Sequence, residues 1–225
     1  MALWETLTEP WQVCLGLAWE SYRRGSLPIA AVIIGADGAV VARGRNRLRD
    51  AHDGGEPNAP HHLLHRHPLA HAEVNALLAF PFAERSAAGC TLLTTTEPCP
   101  LCVGAVRMCS VRRLVYASRD PWAGCSHMFE TVPYLRDAGT EVASLAGSPL
   151  ETLLIALQLD AHLRIERSRE SHDRFLNAYR EVVPVGVAAG ERLAASDALM
   201  ALAHSGAAVR EAVAVIEQTV AEVAR

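Results

Sequence analysis

The sequence contains no lysine, so all 21 of its basic residues are arginines. A lysine amine is needed to form a Schiff base with a carbonyl substrate or with pyridoxal phosphate, and a Walker-type phosphate-binding loop also requires a lysine. The missing residue type therefore excludes both of these enzyme classes.

Long apolar runs and a disulfide pattern are also missing. No stretch of about 18 apolar residues occurs, so we expect no membrane span. The N-terminus, Met1 to Glu5, lacks the basic region and apolar stretch of a secretory signal. The six cysteines show no spacing typical of a disulfide framework. Together these absences predict a cytoplasmic protein.

A net positive charge is missing as well. The formal net charge is −4, which argues against a protein built to hold a long polyanion. Apolar side chains, in contrast, are abundant: 50% of the 225 residues are hydrophobic, which is enough for a substantial core. This length accommodates one domain, or one domain with an appendage.

Two short segments, H-A-E and P-C-P-L-C, carry the groups of a metal site. They supply one imidazole, two thiols and one carboxylate. A catalytic zinc is held by three protein ligands and keeps a fourth position open. We predict His71, Cys99 and Cys102 as the zinc ligands, with Glu73 as a proton carrier beside them. This is the H-x-E…P-C-x-x-C arrangement of zinc-dependent nucleobase deaminases.

The spacing inside each segment has a structural consequence. Cys99 and Cys102 lie three residues apart, so they share a face in the first turn of a helix, and Pro100 suits its first position. His71 and Glu73 would lie about 200° apart on a formed helix. They therefore converge only if His71 stands at the opening of its helix.

A structural zinc site is the alternative. Such a site needs four protein ligands, and Cys90, Cys109 or Cys125 could supply the fourth. It gives no reason for a carboxylate two residues from the histidine, so the catalytic hypothesis is favoured.

Apolar runs of strand length alternate with amphipathic stretches over the first two thirds of the chain. We expect helices over 5–24, 70–80, 99–109 and 127–137, and strands over 29–34, 40–45, 91–96, 111–117 and 141–145. This alternation predicts an α/β fold whose sheet is covered by helices on both faces.

The pattern becomes helical throughout after a break at Gly147-Ser148-Pro149. The expected helices run over 150–183, 187–204 and 206–224. No chemistry-bearing pattern occurs here, so we expect this part to pack against the core or a second subunit. The chain thus divides into a zinc-binding domain over 1–147 and a helical extension over 148–225.

The second strand continues into an alternating segment. Arg43, Arg45, Arg47 and Arg49 fall on one side, and Asn46 falls on the other with small residues. A solvated face or pairing with carboxylates is favoured for the arginines over a phosphate site. Asn46 could offer a donor and an acceptor to a heterocycle, or bond its own backbone in a turn.

Two loops are further candidates for the site. The histidine-rich segment 51–67 runs straight into His71, and a loop this long suggests a lid, which we favour over a second metal site. The loop 118–124 follows a strand end, a usual place for substrate contacts. We predict Asp120 and Trp122 as substrate contacts there, although a loop tryptophan is as often simply packed.

Residues 5 to about 145 resemble the cytidine-deaminase-like superfamily, in particular the branch that contains bacterial tRNA adenosine deaminases and guanine deaminases. The matching segments are L-P-I-A-A-V from Leu27, G-R-N from Gly44, H-A-E from His71, T-E-P-C-P-L-C from Thr96 and S-R-D from Ser118. The resemblance implies a three-layer α/β/α fold around a central mixed five-stranded sheet. The α-helical C-terminal extension is not covered by it.

The resemblance also implies roles for single residues. Zn²⁺ would be held by the three ligands already named, with Glu73 as the catalytic acid and base. Asn46 matches the base-binding asparagine of the family. The backbone near Ala72, Thr96 and Glu97 would line the base pocket, and a homodimer is expected because dimers are common in this branch.

The chain departs from the tRNA enzymes of this branch at several points. Pro121 to Gly124 stand where those enzymes carry lysine-threonine-glycine, their basic C-terminal helix is missing, and Pro100 is more similar to guanine deaminases. We therefore predict a zinc-dependent hydrolytic deaminase that releases ammonia from a small aminated heterocycle, such as a purine base, a nucleoside or an analogue. The alternatives are a tRNA-editing adenosine deaminase and a non-catalytic, zinc-stabilised interaction module.

Overall fold

The computed structural model describes residues 2–50, 63–165 and 168–225. The predicted lid over 51–67 falls mostly outside the described residues, so it stays a prediction. Within the described ranges, no helix combines the length and hydropathy that a membrane crossing requires.

A mixed five-stranded sheet forms the centre of the fold, as predicted. Its strands are β1 Ala30–Ile34, β2 Val40–Arg45, β3 Thr91–Thr96, β4 Arg113–Ser118 and β5 Glu141–Ser144. They lie in the order β2-β1-β3-β4-β5. The strand β1 is antiparallel to both of its neighbours, whereas β3, β4 and β5 are parallel to one another. The carboxyl ends of β3 and β4 therefore lie at the same edge of the sheet.

Helices surround this sheet. They are α1 Glu9–Arg23, α2 Ala72–Leu78, α3 Pro100–Met108, α4 Met128–Thr131, α5 Pro133–Arg136, α6 Pro149–Leu163, α7 Arg169–Arg180, α8 Pro184–Ser196, α9 Ala198–Ser205 and α10 Val209–Val223. Successive side chains of a strand face opposite ways, so β1 packs against a layer of helices on each face of the sheet. Ala31 and Ile33 pack with α2 and α3, and Val32 packs with Cys14 of α1. The predicted three-layer α/β/α arrangement is confirmed.

The extension packs on the α1 side of the sheet. Leu150, Leu153 and Leu154 of α6 share one buried cluster with Trp19 of α1 and Ala117 of β4. The helix α6 is buried almost all round between Leu150 and Asp160, so it has no broad solvated face. Its polar side chains must therefore find partners inside the protein.

Several expected helices are divided in the structure. The stretch 150–183 forms α6 and α7, and Ser168 caps α7 by accepting a hydrogen bond from the N–H of Ser171. The stretch 187–204 falls within α8 and α9, which meet at Asp197, where φ is 53°. Apolar periodicity continues across such breaks, so it predicted single helices and was wrong there.

The other boundaries shift by a few residues. The first helix begins at Glu9 rather than at residue 5, with Pro10 in its first turn, and Leu3–Thr6 forms a 3₁₀ turn. The stretch 127–137 is interrupted at Val132, because Pro133 begins the new helix α5.

Candidate active site

The histidine and the glutamate of the H-A-E segment converge because of where α2 begins. His71 is the N-cap residue, with extended backbone angles (φ −75°, ψ 154°), and the helix starts at Ala72. Glu73 lies in the first turn and is 3% exposed. The 200° separation of a formed helix does not apply to a capping residue, so both side chains reach the same place.

The two cysteines stand at the start of α3, as His71 and Glu73 stand at the start of α2. Cys99 is the N-cap residue, Pro100 takes the first helical position and Cys102 lies in the first turn. A helix N-terminus favours the thiolate form of a cysteine, which is the form that binds metals.

The ligand atoms have the spacing of a zinc site. Nδ1 of His71 lies 3.5 Å from Sγ of Cys99 and 3.5 Å from Sγ of Cys102, and the two sulfur atoms are 3.7 Å apart. Tetrahedral zinc with its usual bond lengths separates sulfur from nitrogen by about 3.5 Å and sulfur from sulfur by about 3.8 Å. The three side chains therefore fit zinc.

The fourth ligand of a structural site is not found in the part of the chain that the structure describes. There, the cluster of metal-binding side chains consists of His71, Cys99 and Cys102, whose ligand atoms lie within 4.8 Å of one another. Cys90, Cys109 and Cys125 do not belong to it. Three ligands leave room for a water or a substrate, as catalytic zinc requires.

The electrostatics of the cluster also suit a cation. The hydrogen bond from Cys102, with a further contribution from His71, lowers the pKa of the Cys99 thiol to about 4. Burial raises the pKa of the Glu73 carboxyl above its usual value. Oε2 of Glu73 lies 3.2 Å from Sγ of Cys102, and the Thr94 hydroxyl donates a hydrogen bond to Oε1 across 3.1 Å. A divalent cation would favour the thiolate forms that bind metals.

These side chains open into a cavity of about 160 Å³. Five of the six predicted substrate contacts line it: Asn46, Thr96, Glu97, Asp120 and Trp122. Ala72 is fully buried and is not among the residues that line it. Its carbonyl oxygen faces Gly44 of β2, where an added Cβ would come within 2.2 Å.

Both interpretations of Asn46 describe part of its environment. The residue is 2% exposed and lines the cavity. Its side-chain oxygen accepts a hydrogen bond from the N–H of Leu48 across 3.1 Å, which is the turn interaction. The turn therefore holds the asparagine in place beside the cavity.

Two arginines of the predicted row are buried in ion pairs. Arg45 donates two hydrogen bonds of 2.8 Å to Asp50, and Arg47 donates one of 3.0 Å. Burial opposes the charge on Asp50, but the arginine hydrogen bonds outweigh it and hold the pKa of this carboxyl below its usual value. Pairing with carboxylates is confirmed for these two residues.

The predicted contacts that follow β3 and β4 are held in place by hydrogen bonds. Glu97 accepts hydrogen bonds from the hydroxyl of Ser126 and from the N–H of Asp120. The Asp120 carboxylate accepts bonds of 3.0 Å from the N–H groups of Trp122 and Ala123. Burial raises the pKa of Asp120. The side chain of Trp122 is about half exposed and meets Phe175 edge to face.

Three lining residues come from the extension, where the sequence showed no chemistry. They are Gln158 and His162 of α6 and Phe175 of α7. A signal was available for two of them. Gln158 and His162 are polar residues four apart, hence on one face, in a helix that is otherwise largely apolar. The partners of that face could not be known from the sequence.

Comparison with known proteins identifies the family to which the first half of the chain is similar. The family model described as "Cytidine and deoxycytidylate deaminase zinc-binding region" matches residues 5–118, which is half of the chain. The match includes the H-A-E and P-C-P-L-C segments. It ends at the last residue of β4, so α6 to α10 lie beyond it.

Three curated proteins illustrate the similarity. The tRNA(Ile)-lysidine synthase of Deinococcus radiodurans is 36% identical over 110 residues, which is 49% of this chain and 17% of that protein. The tRNA-specific adenosine deaminase of Bacillus subtilis is 32% identical over 111 residues, 48% of this chain and 60% of the relative. The guanine deaminase of Bacillus subtilis is 32% identical over 93 residues, with coverages of 40% and 50%. The chain thus spans less than two thirds of each.

Proposed function

This chain belongs to the family defined by the cytidine and deoxycytidylate deaminase zinc-binding region, and we propose that it is a zinc-dependent hydrolytic deaminase of a small aminated heterocycle. The substrate would be a purine base, a nucleoside or an analogue. The observation that carries the proposal is the three-ligand cluster with Glu73 beside it, open to one small cavity.

The size of the cavity supports a small substrate. Its volume of about 160 Å³ lies below the roughly 300–1,000 Å³ of sites for drug-sized ligands. A single ring system is the largest rigid body that suits such a space. The relatives named guanine deaminase and tRNA-specific adenosine deaminase support a ring amino group as the leaving group.

The residues of the cavity suit the proton transfers of this reaction. When zinc is bound by the three ligands, it supplies a Lewis acid that lowers the pKa of water. Glu73 would accept the proton of the attacking water and pass it to the ring nitrogen next to the amino-bearing carbon. It would then assist the departure of ammonia as the carbon–nitrogen bond breaks. The Thr94 hydroxyl orients the Glu73 carboxylate for both transfers.

The test is ammonia release by zinc-loaded protein over a panel of free bases, nucleosides, pterins and bulk tRNA. Glu73→Ala should retain zinc and lose turnover by about 100-fold or more, because the proton carrier is gone. Glu84→Ala, which changes an exposed glutamate outside the cavity, is the matched control. Substantial activity in Glu73→Ala would contradict the assigned role.

Editing of tRNA is the second candidate, and the similarity to a tRNA-specific adenosine deaminase favours it. The net charge of −4 and the burial of Arg45 and Arg47 in ion pairs weigh against it. Ammonia release from tRNA alone, with binding that weakens steeply as salt rises, would favour this candidate. If the zinc-loaded protein releases no ammonia from any compound of the panel, the non-catalytic interaction module is favoured.

The remaining expectations stay predictions. They are a homodimer, a cytoplasmic location and the division of the chain at residues 147 and 148. Sedimentation of the zinc-loaded protein would measure the oligomeric state directly.

A further inference from the structure

One wall of the cavity is built by the extension, outside the segment that the family model matches. Gln158 and His162 project from α6 and Phe175 projects from α7. All three are buried, with exposures of 3%, 7% and 4%. The extension is therefore part of the active-site pocket, and its residues are positioned to influence which ring enters.

Gln158 is held in one orientation from both ends of its amide. Its oxygen accepts a hydrogen bond from the Thr96 hydroxyl, and its nitrogen donates one to the Tyr179 hydroxyl, each across 3.3 Å. Tyr179, fully buried on α7, donates in turn to Asp120 across 2.8 Å. This chain of bonds ties α6 and α7 to the ends of β3 and β4, so the amide is preorganised.

The amide of Gln158 has bonding capacity beyond these two contacts. A glutamine nitrogen carries two hydrogens and its oxygen has two lone pairs, and the bonds described use one of each. One donor and one acceptor therefore remain on the amide of a residue that lines the cavity. This pair is complementary to an amide or amidine edge of a heterocycle, in the way that glutamine pairs with the edge of adenine.

Three of the residues that line the cavity, Trp122, His162 and Phe175, carry aromatic rings, and Tyr179 packs behind them. The ring centroids of His162 and Phe175 are 4.2 Å apart, and those of Phe175 and Tyr179 are 4.8 Å apart. Trp122 approaches Phe175 at 6.0 Å. Aromatic side chains suit contact with a flat heterocyclic ring.

We propose that α6 and α7 form the substrate-selective wall of the active site, and that Gln158 binds the polar edge of a free heterocyclic base. This inference rests on the proposed function and narrows it. The substrate class becomes a free aminated base with an adjacent donor and acceptor on its ring edge. Nucleosides and tRNA become the outcomes that would oppose it.

The test compares Gln158→Met with wild-type, full-length protein loaded with zinc. Methionine keeps the length of the side chain and removes its donor and acceptor. The free base that the panel identifies as the best substrate is compared with the same base methylated at one ring-edge nitrogen. We expect kcat/KM for the unmodified base to fall about 10- to 100-fold in Gln158→Met, because one bidentate contact is lost. The preference over the methylated base should shrink to within a few-fold.

A binding measurement separates recognition from chemistry. Calorimetric titration of the unmodified base into Glu73→Ala, with and without Gln158→Met, should show a similar loss of affinity in a background without turnover. Gln218→Met is the matched control. Gln218 is exposed on α10, donates a hydrogen bond to Glu222 and is not among the residues that line the cavity. It should leave both activity and affinity unchanged.

A second substitution covers the case in which Gln158→Met fails to fold. Gln158→Asn keeps the amide and retracts it by one methylene, so it should also lower kcat/KM while circular dichroism and zinc content stay normal. If either variant folds and still prefers the unmodified base over the methylated base as the wild type does, the proposed role of the wall in substrate selection is wrong.

The outcomes of the substrate panel distinguish the two proposals. If the wild type deaminates only nucleosides, the inference fails and the proposed function stands. If it deaminates only tRNA, the inference fails and the second candidate replaces the proposed function. If the wild type releases no ammonia from any compound with zinc bound, both proposals fail.

Discussion

At the scale of single residues, the site depends on where two helices begin. His71 and Cys99 are both N-cap residues, and each is followed by a second functional side chain within the first turn. A cap has extended backbone angles, so its side chain leaves the helix in a direction that helical residues cannot take. This is how one imidazole, two thiols and one carboxylate meet without a long loop.

Removal of one ligand tests the metal site. Cys102→Ala should reduce bound zinc well below one per chain and lower the melting temperature, because metal binding stabilises the folded state. Metal analysis and thermal unfolding measure both effects. Cys109→Ala, which removes a partly exposed thiol outside the cluster, is the control. A zinc-replete Cys102→Ala protein of normal stability would refute the ligand assignment.

The lowered pKa of the Asp50 carboxyl leads us to expect that the stability of the protein depends on pH. Its pKa is lower in the folded protein than its usual value of 3.8. A lowered pKa stabilises the fold fully above the unfolded value, and this contribution is lost as the pH falls below about 4 through the folded value. Asp50→Asn should therefore cost about 3 kcal/mol of unfolding free energy at pH 7 and less at pH 3, where part of this contribution has been lost. Denaturant unfolding at both pH values measures this, and an equal cost at the two would contradict it.

At the scale of elements, the close approach of α2 to β2 positions the H-A-E segment. An added Cβ at Gly44 would come within 2.2 Å of the Ala72 carbonyl oxygen and 2.2 Å of the Ala76 nitrogen. Both contacts are with backbone, so neither can rotate away. Glycine at this position lets the helix lie directly on the strand, with His71 and Glu73 aimed at the site.

Gly44→Ala should separate these two elements. We expect a loss of about 3 kcal/mol of unfolding free energy, at the upper end for overpacking, together with weaker zinc binding. Gly16→Ala is the matched control, because among the described residues no atom outside the adjacent backbone of its own helix lies within 4 Å of the added Cβ, and alanine favours a helix. Denaturant unfolding and zinc titration measure the two effects. Normal zinc affinity in Gly44→Ala would show that the approach of α2 is not needed for the site.

At the scale of the whole molecule, the extension and the sheet are joined by polar as well as apolar contacts. Glu151 of α6 is 1% exposed and accepts hydrogen bonds of 2.7 and 2.8 Å from Arg119, which follows β4. It also accepts one from the N–H of Gly147. Burial opposes its charge, but these bonds outweigh that effect and lower the pKa of Glu151. The pair links the start of α6 to the loop that carries Asp120.

Breaking the Glu151–Arg119 pair should lower the unfolding free energy of the whole protein. Glu151→Gln should cost about 2 kcal/mol, less than a fully buried pair because Arg119 is partly exposed. Glu141→Gln breaks the exposed pair with Arg113 and should cost less than about 1 kcal/mol. Denaturant unfolding compares the two variants. Equal costs would indicate that the contact between the extension and the sheet contributes little.

The sequence by itself determined the chemistry of the centre. The residue types and short spacings of H-A-E and P-C-P-L-C predict zinc ligands and a proton carrier, because each pair lies at the start of one helix. The alternation of apolar runs specified an α/β sheet with two helical layers. The same local rules placed β3 over Thr91–Thr96.

Only the tertiary structure decided what surrounds that centre. Apolar periodicity indicates that α6 is buried but not which surface covers it, so Gln158 and His162 could not be assigned to the cavity. The hydrogen bonds from Thr96 to Gln158, from Gln158 to Tyr179 and from Tyr179 to Asp120 join residues that are 62, 21 and 59 positions apart, and no local pattern relates these pairs. Contacts between residues far apart in sequence depend on the packing of the whole chain, and here that packing makes the extension a wall of the site.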